Sequence, residues 1–200
     1  MALCTAAQVR AYASAGTSAD DTLIDDIIAR VDALFARYCR YPRADSGAYT
    51  MEATAYTLYV DARYYQDPER PAVLYLPLSP VVSVTSVHVD PERDYGSDTE
   101  VIAAQRDLDP EVGVIILRDD ATEAWSRSTR ANKIVVSAGW STVPDDLEEA
   151  AIIQAAFQFK QRSTAGARTK TTASNSVSVD RFGLLDEVKE RLSAYRILTP

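Results

Sequence analysis

Residues Gly139 to Arg162, GWSTVPDDLEEAAIIQAAFQFKQR, constrain this chain more than any other stretch. They read as a strand end, a tight turn and a helix with a marked start. Thr142 followed by Asp145 makes a shortened capping box, with the threonine oxygen able to accept from first-turn N–H groups. Pro144 sits where a missing N–H costs nothing. Asp145, Asp146, Glu148 and Glu149 put negative charge at the positive end of the helix dipole. Inside the helix, Ile152, Ala155, Ala156 and Phe159 share one apolar face, and Ala150, Ile153 and Phe157 a second. Gln154, Gln158 and Gln161 form the remaining stripe, polar but uncharged. A helix apolar on most sides is buried on most sides. Either it is the central core helix of its own subunit, or one face packs at home and the other against a neighbour. In the second case Ile152, Ile153, Phe157 and Phe159 are interface residues, and the glutamine stripe lies at a wet interface or a channel wall.

The totals exclude several classes. Two hundred residues suit one domain, or a small domain with an insert, and a hydrophobic content of 46% supports a core. A net charge of −8 argues against a free nucleic-acid binder, which carries a basic surface. No apolar run is long enough to span a membrane, and MALCTAAQVR lacks the pattern of a signal peptide. Cys4 and Cys39 have no metal spacing. They read as two reduced, partly buried thiols of a cytosolic protein, with a Cys4–Cys39 disulfide as the alternative.

Upstream, Thr5 and Gln8 form a capping box that opens a short helix to about Ser14, with Gly16 as its left-handed stop. Ser18 and Asp21 open a longer helix to about Tyr41. Its apolar face is Leu23, Ile24, Ile27, Ile28, Val31, Leu34, Phe35 and Tyr38; Asp25, Asp26, Arg30, Asp32, Arg37 and Arg40 lie opposite. From Tyr49 to Trp140 the helical period vanishes, and Val, Ile, Thr and Tyr dominate. Strands are predicted at Thr54–Val60, Ala72–Leu76, Val81–Val89, Glu100–Ile102, Val114–Arg118 and Lys133–Ala138. A change of parity in the third predicts a β-bulge near Thr85 and Ser86. Asp119–Asn132 reads as a long polar loop. Ser163–Asp180 is rich in Ser, Thr, Ala and Gly and reads as a flexible, locally basic loop carrying Arg168 and Lys170. A last helix over Leu184–Leu198 shows the stripe Leu185, Val188, Leu192 and Tyr195. It is either a lid on its own core or an arm offered to a partner. The fold class expected is therefore α+β: a bundle of about four helices from 1–49 and 141–200, with an antiparallel β lobe, 50–140, inserted.

Catalytic signals are weak. His88 is the lone histidine, so a Ser-His-Asp triad has one candidate base and no nucleophile elbow to serve. No phosphate loop, dinucleotide fingerprint or metal-ligand cluster occurs. The pairs Asp25-Asp26, Asp119-Asp120 and Asp145-Asp146 are sequence neighbours, which seldom converge on one site. Tyr49, Tyr56, Tyr59, Tyr64 and Tyr65 are suited to half-buried strand faces, or to stacking a sugar or base. The expectation is no enzyme, no cofactor and no metal.

The order of parts resembles the head–tail connector (adaptor) proteins of long-tailed bacteriophages, a family also labelled putative DNA packaging. The matching pieces run nearly end to end: TAAQVRAY, SADDTLIDDIIARVDALFARYCRY, LYLPLSPVVSVTSVHVD, VVSAGWSTVPDDLEEAAIIQAAFQFKQR and LLDEVKERLSAYRIL. The combination GW-x-x-VP-x-DL-x-x-A with a terminal LL-x-EVK-x-x-L-x-x-Y carries most of the likeness. The loops at Tyr64–Pro71 and Asp119–Asn132 have no counterpart in it. The resemblance implies a structural virion protein at the head–tail joint, assembled in the host cytoplasm. It would form a closed ring of about twelve copies beneath the portal. The ring would extend the DNA channel, pass double-stranded DNA without sequence-specific binding, and seat a stopper or tail-completion protein. Leu185, Val188, Leu192, Tyr195, Arg168 and Lys170 would then form an arm that embraces the portal. The other class consistent with the residues is a binding module whose β lobe recognises a receptor or carbohydrate.

Overall fold

The computed structural model describes residues 2–14, 16–67, 69–70, 72–162, 169–172, 175–178 and 183–197. The fold is α+β, a helical bundle with a β lobe. In chain order, helices α1 (Ala6–Ala13) and α2 (Asp21–Tyr38) precede strand β1 (Thr54–Val60) and the one-turn helix α3 (Ala62–Tyr65). Strands β2 (Val73–Tyr75), β3 (Val81–Val89), β4 (Arg106–Asp109), β5 (Val114–Leu117) and β6 (Asn132–Ala138) follow. Helix α4 (Asp145–Gln161), strands β7 (Thr169–Thr172) and β8 (Asn175–Ser178) and helix α5 (Asp186–Leu192) complete the chain. Contacts divide it into two compact units: a helical unit, Met1–Cys39 with Val143–Arg196, and a β unit, Arg40–Thr142 with Ile197–Pro200.

The helical unit is organised on α4, against which α1, α2 and α5 all pack. The Thr5/Gln8 capping box forms as read, each partner bonding the other's backbone N–H. Ser14, not Gly16, takes the left-handed stop, at φ 49°, and its N–H returns to Ala11. The second box is displaced by one residue: Thr17 and Asp20 form it, ahead of a short 3₁₀ turn at Ser18–Asp20. Pro144 rather than Thr142 is the N-cap of α4, with no side-chain cap. Its ring fixes φ at −61° and its ψ of 145° is extended, so the helix begins only after it. On α2, Ile24, Ile27, Ile28, Val31 and Phe35 are buried as their period requires. Asp32, expected on the solvated side, is buried too, while Leu23 remains 39% exposed.

In the β unit, β1, β6 and β3 form one antiparallel sheet in that order, and β2, β5 and β4 another. Leu58, Ile134 and Val87 align across the first sheet on its buried face. The β3–β6 register shifts at Val84/Ser86, where the parity change placed a bulge, and also at Val81/Ser83. One strand forms where none is expected, at Arg106–Asp109, and the strand expected at Glu100–Ile102 does not form. Arg106–Asp109 carries three charges and only one apolar residue, so its strand character comes from pairing with β5. Glu100 makes only an isolated bridge to His88. The 118–131 loop is pinned by Trp125, whose indole N–H donates to the Ala72 carbonyl at 2.7 Å. Fully buried Asn132 holds it too, donating to the Val60 and Ser126 carbonyls. Residues 40–49 go with this unit rather than the helices. Asp45 accepts from the backbone N–H and hydroxyl of Thr57, and Tyr41 donates to the Ser79 carbonyl.

Between α4 and α5, where an unstructured loop was expected, β7 and β8 pair as an antiparallel hairpin in register Thr169↔Ser178. Arg168 and residues 173–174 and 179–182 lie outside the described residues.

Candidate functional site

The two apolar faces read on α4 are each split by the fold. Ile153 and Phe159 are buried, at 7% and 0% exposure, whereas Ile152 and Phe157 remain half-buried. Phe159 packs in the interior of the helical unit with the Arg162 guanidinium 3.7 Å over its ring. Small side chains explain the burial of the rest: Ala150, Ala151, Ala155 and Ala156 let neighbouring helices approach α4 closely. Ile152 and Phe157 are thus the two large apolar groups α4 still presents in part.

The glutamine stripe is not one surface. Gln154 is fully buried and is a clamp: its amide NH₂ donates to the Gly183 carbonyl and its oxygen accepts from the Leu185 N–H, both at 3.0 Å. That corrects its reading as a wet-interface or channel residue. A buried amide must satisfy both ends, and here both ends are backbone groups at the start of α5. Gln158 and Gln161 stay half-buried.

The last helix is likewise committed to its own unit. Val188 and Leu192 are fully buried, and α5 packs on α4. Tyr195 donates to Asp146, and Arg191 pairs with Glu149. Burial, then the bond to Asp146, pushes the Tyr195 hydroxyl pKa up. Of the residues expected to meet the portal, Val188 and Leu192 therefore face inward, Leu185 and Tyr195 are half-buried, and Lys170 is on β7. The stripe of four apolar residues reads identically for a lid and for an arm; the lid is what forms.

Between α2 and α4 lies a groove of about 440 Å³, lined by Arg30, Ala33, Leu34, Arg37 and Gln158. No motif marked it. Its sequence signal is Ala33 and Leu34 between two arginines on one side of the helix. Both cysteines are buried free thiols. Burial pushes each up to about 12, with Glu148 adding to the effect at Cys4, so neither is a nucleophile.

In the β unit Tyr56 is core, whereas Tyr59 is 41% and Tyr64 67% exposed. Tyr59 aligns with Lys133 and His88 across the solvent face of the first sheet. Tyr95 covers this row, 5.7 Å from the Tyr59 ring, with Lys133 Nζ 5.1 Å from its own centroid. Arg130 lies 4.2 Å over Tyr59. His88 Nδ1 is 3.3 Å from the Gly96 carbonyl. These side chains are engaged with one another, the arrangement of a packed sheet face. A second cavity of about 200 Å³ is lined by Val84, Ala103, Arg106, Asp107, Leu108 and Ile115. Burial lowers the Arg106 pKa, against the opposing charge of Glu100.

Among the described residues, no group of three or more His, Cys, Asp or Glu is placed to hold a metal ion. No described helix is long and apolar enough to cross a membrane.

No protein-family model matches the chain, and no curated protein matches it. Solved structures do. A chain from the neck of an empty GTA particle, computed with C6 symmetry, is similar at TM-score 0.58 and 21% identity, over 96% of this chain and 89% of that one. A chain from the neck of a native GTA particle, computed with C12 symmetry, gives TM-score 0.48 and 20% identity over 96% and 88%. The first likeness is one of fold, and it runs nearly the length of both chains.

Proposed function

We propose that this chain is a structural, non-enzymatic subunit of the neck of a phage-like particle, at the joint between head and tail. In this reading about twelve copies close into a ring beneath the portal. The ring extends the DNA channel and seats a stopper or tail-completion protein. The observation that carries the proposal is the end-to-end fold likeness to a neck chain of a symmetric particle. Two further features support it. Helix α4 keeps Ile152 and Phe157 half-exposed, which suits a contact between copies. The net charge of −8 suits a channel that passes DNA without gripping it, because phosphate binding needs Lys and Arg.

Portal contact is proposed for the segment between α4 and α5, which carries Arg168 and Lys170. The apolar stripe of α5 is left out of that role because Val188 and Leu192 are buried at home. Native mass spectrometry of the chain co-expressed with the particle's portal protein tests the assignment. The expected species is a cyclic oligomer bound to the portal. A chain that stays monomeric with portal present would remove the proposal.

A further inference from the structure

The groove on α2 and α4 has a counterpart elsewhere on the chain. Its lining combines half-buried Ala33 and Leu34 with the exposed, basic Arg30 and Arg37. The turn joining β4 to β5, Asp109-Pro110-Glu111-Val112-Gly113, has the opposite character. Val112 is 55% exposed and is flanked by the acidic side chain of Glu111, with Asp109 at the base of the turn.

A single exposed valine is ordinary. The backbone beneath this one is not free to move. The Val81 N–H donates to the Pro110 carbonyl at 2.8 Å, and the Ser79 hydroxyl donates to the Glu111 carbonyl. The Gly113 N–H donates to the Asp109 carbonyl at 3.0 Å, and the Leu76 N–H to the Gly113 carbonyl at 2.8 Å. Gly113 itself has φ +73°, and a Cβ there would lie 2.1 Å from the Leu78 carbonyl oxygen. A turn tied at four points has little conformational entropy left to lose on docking.

We propose that the α2–α4 groove of one copy receives the Val112 turn of a second copy, with Val112 against Ala33 and Leu34 and the acidic turn toward Arg30 and Arg37. The pairing rests on the ring reading above, and it specifies which two surfaces meet. A groove on one surface and a knob on another make a heterologous contact, the kind that closes into rings. The other strongly exposed apolar residues described in the β unit lack this character. Val82 lies between Val81 and Ser83, Ile102 between Val101 and Ala103, and Tyr64 beside Arg63. Opposite charges around an apolar contact set its register and exclude wrong partners.

Wild-type assembly is measured first, by native mass spectrometry across concentration, with and without portal. Disulfide trapping then mixes a Leu34→Cys chain with a Val112→Cys chain under oxidised glutathione. Cys4 and Cys39 are 2% and 0% exposed and leave the background clean. The mixture should give a covalent dimer that neither chain forms alone. Glu111→Arg should weaken association about tenfold or more, and Arg37→Glu in the same chain should restore it to within about threefold. Should Arg37→Glu prevent folding, the trapping and Glu111→Arg results still decide. Rings that form normally with Glu111→Arg, and trapping no better than with Val82→Cys in place of Val112→Cys, would overturn the pairing and leave the ring standing. A wild-type chain that forms no oligomer even with portal would overturn the ring and the pairing together.

Discussion

In the helical unit, segments from the two ends of the sequence meet on α4. In the β unit, the long stretch Arg40–Thr142 folds back on itself. The first is held by apolar burial, with Val9, Ile24, Phe35, Phe159, Val188 and Leu192 all at 0% exposure. The second also has a core, but its loops are fixed by individual polar ties: Asp45 on Thr57, Trp125 on Ala72, Asn132 on Ser126. The difference teaches where each unit is vulnerable. Burial is non-directional and shared, so the helical unit should fail when a whole element leaves. Directional ties and close backbone approaches fail one position at a time. The chain carries its own reporters for the comparison, because both cysteines lie in the helical unit and both tryptophans, Trp125 and Trp140, in the β unit.

The largest effect is expected from ending the chain after Gly183. This removes α5, exposes the α4 surface that Val188 and Leu192 cover, and takes the Leu185 N–H away from the buried Gln154 oxygen. Each fully buried large side chain is worth roughly 2–5 kcal/mol, so the loss approaches the roughly 5–15 kcal/mol total of a typical domain. Cys4 and Cys39 should become alkylatable under native conditions while tryptophan fluorescence changes less, because the described β unit loses only Ile197. Thiols that stay protected would show that α5 does not close this core.

A single methyl group should do comparable harm at one point of the β unit. Gly139 ends β6 at φ +109°, and a Cβ there would sit 2.4 Å from the Glu52 carbonyl oxygen and 2.8 Å from that of Met51. Gly139→Ala should cost about 2–4 kcal/mol in denaturant unfolding followed by fluorescence. A cost under about 1 kcal/mol would mean that the 51–53 segment moves aside freely. Next comes Gln154→Leu. It keeps the volume but strands the Leu185 N–H and the Gly183 carbonyl, for about 2 kcal/mol, read through thiol exposure. A neutral outcome would mean that water replaces the amide.

These sensitivities map onto what was legible beforehand. The Thr5/Gln8 cap was readable because both partners lie within one turn. The α4 cap was misread because Pro144 stands between Thr142 and the first turn and sets the start itself. The bulge near Thr85 was readable from parity alone, since side chains alternate strictly along a strand. Strand β4 was not, because Arg106, Asp107 and Asp109 carry no strand preference and only the ladder with β5 orders them. The burial of Gln154 depends on partners 29 and 31 residues away, which no local pattern encodes. The groove and the Val112 turn were missed for the same reason: each is defined by what surrounds it in space.

The smallest effect concerns acid. Asp61, Asp67, Asp90 and Asp107 of the β unit are held below the usual carboxylate range, against Asp186 alone among the described residues of the helical unit. The causes are the Arg63 side chain for Asp61, the Glu69 N–H for Asp67, the Tyr95 N–H for Asp90, Arg118 for Asp107 and Lys189 for Asp186. A carboxylate depressed in the folded state contributes stability that is complete above its unfolded pKa, about 3.9 for Asp. That contribution is lost as pH falls through the folded value. Acid should therefore erode the β unit before the helical unit, so that tryptophan fluorescence changes at a higher pH than thiol protection is lost. Asp90 is the position to test, because its two oxygens accept from Tyr95 N at 2.6 Å and Glu92 N at 2.8 Å and so fix the 90–95 turn. Asp90→Asn keeps the size of the side chain but removes the charge and one of the two acceptor oxygens. Its melting temperature should lie below that of the unaltered chain near neutral pH, and the two curves should converge as pH drops below about 4. The other depressed aspartates are present in both chains and cancel in the difference. A gap that stays constant down to low pH would mean that the ionised form of Asp90 contributes nothing to the difference, and that the β unit is no more acid-sensitive at this turn than the helices are.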